Sequence, residues 1–112
     1  MGEKTTYEDG KKLQAGWITT DQIPLAADTY YDGMLLEYDA TNDRYFALAT
    51  DANMAAIYNG GEKTLSSAGY GDCIMAGEIN ETGLVDDSNA ALTLTEDQRA
   101  TYRGRGFYIK RA

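Results

Sequence analysis

The chain contains no histidine, one cysteine and one proline among its 112 residues. Without histidine it lacks the commonest general base, and a zinc site of the usual Cys/His kind cannot be assembled. A lone cysteine excludes an internal disulfide, and its place in the apolar run Cys73-Ile74-Met75-Ala76 predicts a buried, inert thiol. We therefore expect a protein that is not an enzyme and carries no cofactor or metal.

Long apolar runs and a basic surface are also missing. No stretch approaches the roughly 20 apolar residues of a membrane span, and the polar start MGEKTTYEDGKK lacks the apolar segment of a signal peptide. The net charge of −8 argues against nucleic-acid binding, which needs basic surface to displace counterions. The sequence thus predicts a soluble chain with neither a membrane nor a nucleic-acid partner.

Two motifs that suggest ligand binding are incomplete. Gly69-Tyr70-Gly71 lacks the lysine and the following helix of a phosphate-binding loop. Asp39-Ala40-Thr41-Asn42-Asp43 lacks the glycine and distal glutamate of an EF-hand, so we interpret it as the turn of a hairpin.

Basic residues are concentrated at the C-terminus. The first 98 residues hold all 18 acidic residues and five basic ones, whereas the last 14 hold five basic residues and no acidic one. The five are Arg99, Arg103, Arg105, Lys110 and Arg111. This asymmetry is consistent with contacts between copies of the chain. It is equally consistent with a tail that neutralises carboxylates of its own fold.

Residues 1–30 are predicted to form an extended arm. Their apolar residues follow neither a helical nor an alternating period, and Pro24 marks the end of the arm. The apolar positions that we single out are Leu13, Trp17, Ile18 and Ile23. Trp17, the only tryptophan, is suited to anchor the arm in a partner, although it is equally able to fold back onto its own core.

Residues 31–112 are predicted to form a compact β-rich domain. Two apolar runs flank the turn at 39–43 and indicate a β-hairpin. Met54–Tyr58 and Asp72–Ile79 are further strands, with Gly77 marking a bulge or a close backbone approach. Gly60–Gly71, which holds four glycines and two serines, is expected to be an exposed loop.

One short helix is predicted near the C-terminus. Thr95-Glu96-Asp97-Gln98 matches a capping box and starts a helix over Glu96–Arg103. Gly104 would supply a left-handed stop, and Gly106–Lys110 alternates as a final strand. The predicted fold class is therefore α+β but predominantly β, with a small-strand body, one C-terminal helix and an extended N-terminal arm.

Glycines and apolar residues recur in a fixed order along the body. The order is Asp32-Gly33-Met34-Leu35-Leu36, then Asp39…Arg44-Tyr45…Ala47, then Ala55-Ala56-Ile57-Tyr58-Asn59-Gly60, then Gly71–Ile79, and last Gly106-Phe107-Tyr108-Ile109. This pattern resembles head decoration proteins of tailed phages, of the lambda type, and the resemblance covers about residues 31–79 and 104–110.

The resemblance implies a capsid-stabilising, or cementing, protein on the outer surface of the virion, made in the host cytoplasm. Members of the family are similar in forming homotrimers on the expanded head, where they bridge subunits of the major capsid protein. Their N-terminal arm adds a strand to a β-element of the shell. Here that role would fall to Leu13, Trp17, Ile18 and Ile23, while the five basic residues of the tail would contact a neighbouring subunit of the trimer.

Two other classes stay open. The nine tyrosines are consistent with a phage fibre or adhesin module that stacks its rings on carbohydrate, although tyrosine is also common in half-buried strands. The chain is also consistent with another capsid-associated structural protein that shares the partner but not the binding site.

Overall fold

The computed structural model describes residues 13–111, which form a six-stranded mixed sheet, a separate two-stranded sheet and one α-helix. In chain order the strands are β1 (Gln14–Leu25), β2 (Asp28–Tyr30), β3 (Leu35–Asp39), β4 (Arg44–Ala47), β5 (Met54–Tyr58), β6 (Lys63–Leu65), β7 (Gly69–Asn80) and β8 (Phe107–Lys110). The helix α1 spans Glu96–Arg103, and short 3-10 turns lie at Asp51–Asn53 and Glu81–Gly83. The predicted class, a predominantly β domain with one short helix near its C-terminus, is confirmed.

The predicted hairpin is β3–β4, paired antiparallel from Leu36↔Ala47 to Asp39↔Arg44. Its turn is held by the Asp39 carboxylate, which accepts the backbone N–H of Thr41 at 3.0 Å and the side-chain amide of Asn42 at 2.7 Å. Such bonds are the ordinary chemistry by which aspartate stabilises a turn. The interpretation of residues 39–43 as a turn is therefore confirmed.

Five strands close into a ring. β3 pairs with β4 and β5, β5 pairs with the first half of β7, and β7 pairs with β1. The end of β1 then meets β4 through the parallel pair Leu25↔Tyr45. β8 joins the outer half of β7 in parallel, from Gly77↔Phe107 to Asn80↔Lys110. Closure of this kind covers strand edges that would otherwise be exposed.

Residues 13–30, which the sequence pattern assigns to an arm, belong instead to the folded body. β1 pairs with β7 along its length, β2 pairs with β6, and Leu25 and Tyr30 are fully buried. The register of β1 shifts between Gln14 and Ile18 and again between Thr19 and Thr20. Because each shift interrupts the two-residue period of a strand, β1 shows no clean alternation. Residues 1–12 of the predicted arm lie outside the described residues.

The predicted loop at Gly60–Gly71 is also partly regular, because β6 and the start of β7 lie within it. β6 is covered by β2, with Thr29 and Thr64 side chains 3.0 Å apart across the pair.

Buried side chains form two neighbouring clusters. One lies under α1 and β8, where Tyr102 and Phe107 pack with apolar residues of β3, β5 and β7. The other is built around Tyr30 and Tyr58, whose ring centroids are 5.4 Å apart, and it includes Cys73. Burial of these aromatic and aliphatic side chains is the main source of stability in a domain of this size.

The helix has the predicted bounds, Glu96–Arg103, but the backbone conformation just after its end differs from the prediction. Thr95 Oγ1 accepts the N–H of Gln98 at 3.1 Å, and Gln98 Oε1 accepts the N–H of Thr95 at 2.9 Å, so the capping box is confirmed. Gly104 keeps helical angles (φ −64°, ψ −17°), and the left-handed residue is Gly106 (φ +97°). Gly104 therefore caps the helix after Arg103 as predicted, but the left-handed conformation expected at Gly104 is wrong. After the helix the chain forms a tight turn, in which Gly106 N–H donates to Arg103 O at 3.0 Å, and β8 begins at the next residue.

Gly77 allows β1 and β7 to approach closely, as the sequence predicted. Its φ is +139°, and a Cβ at this position would lie 2.4 Å from the carbonyl oxygen of Trp17. Only glycine accommodates this backbone conformation and this contact together. Gly77 therefore fixes the position of Trp17 on the outer part of β1.

Candidate docking surface

The outer edge of β1 is the most unusual feature of the surface. β7 covers one edge of β1 from Gln14 to Leu25, whereas on the other edge β4 meets β1 only at Leu25. Between Gln14 and Gln22, no strand within residues 13–111 covers this second edge. An uncovered strand edge of this length presents a row of backbone groups with which another strand can pair.

Two observations show which residues of β1 direct their backbone N–H and C=O groups toward this edge. Pro24 has no N–H, and the N–H of Gln22 donates to the carboxylate of Asp21 at 2.8 Å. Backbone groups of a strand alternate between its two edges. Since the register from Thr20 to Leu25 is continuous, Thr20, Gln22 and Pro24 direct their backbone groups away from β7.

Two exposed aromatic side chains lie near the far end of this edge. Trp17 on β1 is 51% exposed and Tyr108 on β8 is 42% exposed, and their ring centroids are 6.2 Å apart at an interplanar angle of 56°. We call this pair the aromatic patch. Glu78 and Lys110, whose charged groups lie 3.9 Å apart, are on the two strands that pair beside it. Aromatic side chains with polar neighbours are typical of protein interfaces.

The four predicted arm residues have different environments. Leu13 and Ile23 are each only 4% exposed and fill the core, and Ile18 is half-buried against it. Trp17 alone presents a large exposed surface. The expectation that Leu13, Ile18 and Ile23 contact a partner is therefore corrected, because their side chains pack within their own chain.

The predicted tail cations are mostly engaged within the chain. Arg99 is buried, with Nη2 2.5 Å from Glu81 Oε1, and Arg105 Nε donates to the carbonyl of Met54 at 2.8 Å. Lys110 lies beside Glu78, and Arg111 forms an ion pair with Glu96. Arg99, Lys110 and Arg111 therefore pair with carboxylates of their own chain, as the interpretation of internal neutralisation expects, whereas Arg105 binds a neutral carbonyl. Arg99 is not accessible to a neighbouring subunit. Arg103 is exposed and forms no ion pair with any described residue.

The buried ion pair fixes α1 to the 3-10 turn at Glu81. One oxygen of the Glu81 carboxylate contacts Arg99, and the other accepts the N–H of Leu94 at 2.9 Å. Burial acts to raise the pKa of Glu81, but the hydrogen bond from Leu94 and the Arg99 guanidinium together outweigh it. The pKa of Glu81 is therefore lowered in the folded protein.

The described residues offer little reactive chemistry. Cys73 is fully buried as predicted, and burial, with a smaller contribution from the charge of Asp72, raises its pKa to about 12. The side chain is therefore a thiol at neutral pH and not a nucleophilic thiolate. Residues 13–111 contain no group of three His, Cys, Asp or Glu side chains placed to hold a metal ion.

None of the helices in the described part of the chain is long and apolar enough to cross a membrane.

Sequence reasoning missed both the uncovered edge of β1 and the role of Tyr108 beside Trp17. The β-branched run Ile18-Thr19-Thr20 was a signal for a strand. It could not show which edge of that strand would stay uncovered, because the edge depends on how distant strands pair.

Comparison of the sequence with models of known protein families and with characterised proteins gave no match.

Proposed function

We propose that the protein is a capsid decoration protein, a structural component of a tailed-phage virion. It binds the outer surface of the expanded head as a homotrimer, bridges subunits of the major capsid protein and so stabilises the shell. The observation that carries this proposal is the uncovered edge of β1 between Gln14 and Gln22, with Trp17 exposed on it.

The edge supports docking by strand addition. A β-element of the shell that pairs with β1 would gain main-chain hydrogen bonds from Thr20, and from Gln22 once its N–H exchanges the Asp21 carboxylate for a carbonyl of the shell. Trp17 and Tyr108 would supply the apolar contact that such pairing lacks. This mode of binding agrees with the resemblance of the sequence to lambda-type decoration proteins, whose N-terminal segment adds a strand to the shell.

Three copies in one assembly would strengthen the attachment. Each copy contributes one edge, and linked edges bind with greater avidity than a single one. A modest contact per copy is therefore sufficient for stable attachment to a shell that repeats the same site.

The aromatic patch favours a protein partner over carbohydrate. Its two rings are inclined to one another by 56°, so that they do not form one flat platform for a sugar. A glycan array in which the isolated chain binds selectively would support the adhesin alternative.

Cosedimentation with shells tests the proposal. The full chain is mixed with expanded and unexpanded shells assembled from the major capsid protein of the same virus. We expect wild type to sediment with expanded shells, and Trp17→Ala to lose at least about tenfold in affinity, because Trp17 provides the central apolar contact. Tyr38→Ala is the matched control, since Tyr38 is 43% exposed on β3, which does not pair with β1. A wild-type chain that binds neither form of the shell contradicts the proposal.

A further inference from the structure

A groove with an apolar floor and an acidic rim lies between α1 and the loop that precedes it. Its volume is about 230 Å³, and its floor includes Leu35, Leu48, Val85, Leu92 and Leu94. Three carboxylates line it, those of Asp51, Asp86 and Asp87, and no lysine or arginine of the described residues does so. We call it the acidic groove.

The charges of the acidic groove are not neutralised within the described residues. Asp51 accepts the hydroxyl of Tyr102 at 2.6 Å, and Asp86 accepts the N–H groups of Ser88 and Ala90 at 2.8 and 2.9 Å. All of these donors are neutral, and no described residue forms an ion pair with Asp87. A side chain with an aliphatic stem and a cationic end complements both the floor and the rim.

The same chain offers one suitable cation. Arg103 is the only one of the five tail cations without an intramolecular acceptor among the described residues. It follows Tyr102, which lines the groove, so it lies about 100° further around the axis of α1. Arg103 therefore leaves α1 on a different side of the helix from Tyr102.

We propose that Arg103 of one copy enters the acidic groove of the next copy. Its guanidinium lies against Asp86 and Asp87, and its stem lies against Leu48 and Leu92. Because the two surfaces differ, the contact is head-to-tail, and its repetition about a three-fold axis closes a ring of three copies. This inference rests on the homotrimer of the proposed function and names the contact that forms it, in place of the wider set of tail residues.

Charge reversal tests the contact in the full chain. The variants are Asp87→Arg, Arg103→Glu and the double variant, and Glu62→Arg is an exposed charge-reversal control outside the groove. Asp86 is left unchanged because its carboxylate holds its own loop. Mass is measured by sedimentation equilibrium over a range of concentration, and circular dichroism checks the fold.

We expect wild type and Glu62→Arg to form trimers and each single groove variant to weaken association at least about tenfold. The double variant restores it, because the reversed charges again attract. Trimers that survive both single reversals overturn the inference while leaving the proposed function intact. A double variant that stays dissociated likewise overturns the inference and leaves the proposed function intact. A wild type that is monomeric throughout overturns the inference. Charge-swap behaviour as expected, together with no binding to shells, leaves the inference standing and contradicts the proposed function.

Discussion

At the scale of single residues, Gly77 determines how Trp17 is presented. The glycine pairs with Ile18 across β1 and β7, and its missing side chain leaves room for the carbonyl of Trp17. The aromatic patch therefore depends on a residue that contributes no surface of its own.

We predict that Gly77→Ala destabilises the protein by about 3 kcal/mol, because the methyl group meets both a strained φ and the carbonyl of Trp17. Gly61→Ala is the control: Gly61 also has a positive φ (+85°), but a Cβ there has nothing within 4 Å. It should cost about 1 kcal/mol. Urea denaturation measures the free energy of unfolding of both variants. Equal losses would show that the contact between the added methyl group and the carbonyl of Trp17 does not contribute to the cost at Gly77.

The second prediction for a single residue concerns the stabilisation that the Glu81 carboxylate gives the folded protein, which depends on pH. Because its pKa is lowered on folding from an ordinary value of 4.5, the unfolded chain binds the proton more tightly. The stabilisation is therefore complete above pH 4.5 and is lost as pH falls through the lower pKa of the folded state. Glu81→Gln removes this contribution and leaves Arg99 without its charged partner.

We expect Glu81→Gln to be less stable than wild type by about 3 kcal/mol at pH 7, with a smaller further loss on acidification. Urea denaturation between neutral and acidic pH measures the difference, with Glu62→Gln as an exposed control. If the variant and wild type lose stability in parallel as pH falls, Glu81 is not the group responsible.

At the scale of elements, local chemistry made some features predictable and distant pairing made others unpredictable. The capping box at Thr95 and the turn at Asp39 are stabilised by residues a few positions apart, so the helix start and the hairpin could be predicted. β1 could not, because its bulges break the alternation and its stability comes from β7, more than 40 positions further along the chain. The end of α1 after Arg103 was predicted correctly, but the left-handed residue lies at Gly106 and not at Gly104, because a tightened turn follows the helix.

The uncovered edge of β1 carries the element-scale prediction. Thr20→Pro removes a backbone N–H that faces away from β7, so the β1–β7 pairing is retained. We expect its affinity for expanded shells to fall about tenfold, while Thr20→Ala, which keeps the N–H, binds as wild type does. Cosedimentation measures both affinities, and circular dichroism confirms the fold. Equal binding by the two variants would contradict strand addition at this position.

At the scale of the whole molecule, the contrast between acidic body and basic tail is largely resolved inside the chain. Composition alone was equally consistent with a tail that contacts neighbours and with one that pairs inside its own fold. In the structure, four of the five tail cations find partners in their own fold: Arg99, Arg105, Lys110 and Arg111. Which charges pair depends on how α1 and β8 return to the sheet, and a linear sequence does not reveal this. Two sets of groups stay available to a partner. One is the aromatic patch together with the uncovered edge of β1, and the other is Arg103 together with the acidic groove.

Hydrogen exchange of the shell-bound protein, followed by mass spectrometry, tests the central claim most directly. The full chain is labelled in solution and again when bound to expanded shells, and exchange is compared for peptides that cover β1 and the β3–β4 hairpin. Pairing of β1 with a strand of the shell predicts slower exchange between Gln14 and Gln22 on binding, with the hairpin unchanged. A protein that sediments with the shells while β1 exchanges as fast as in solution would contradict the account.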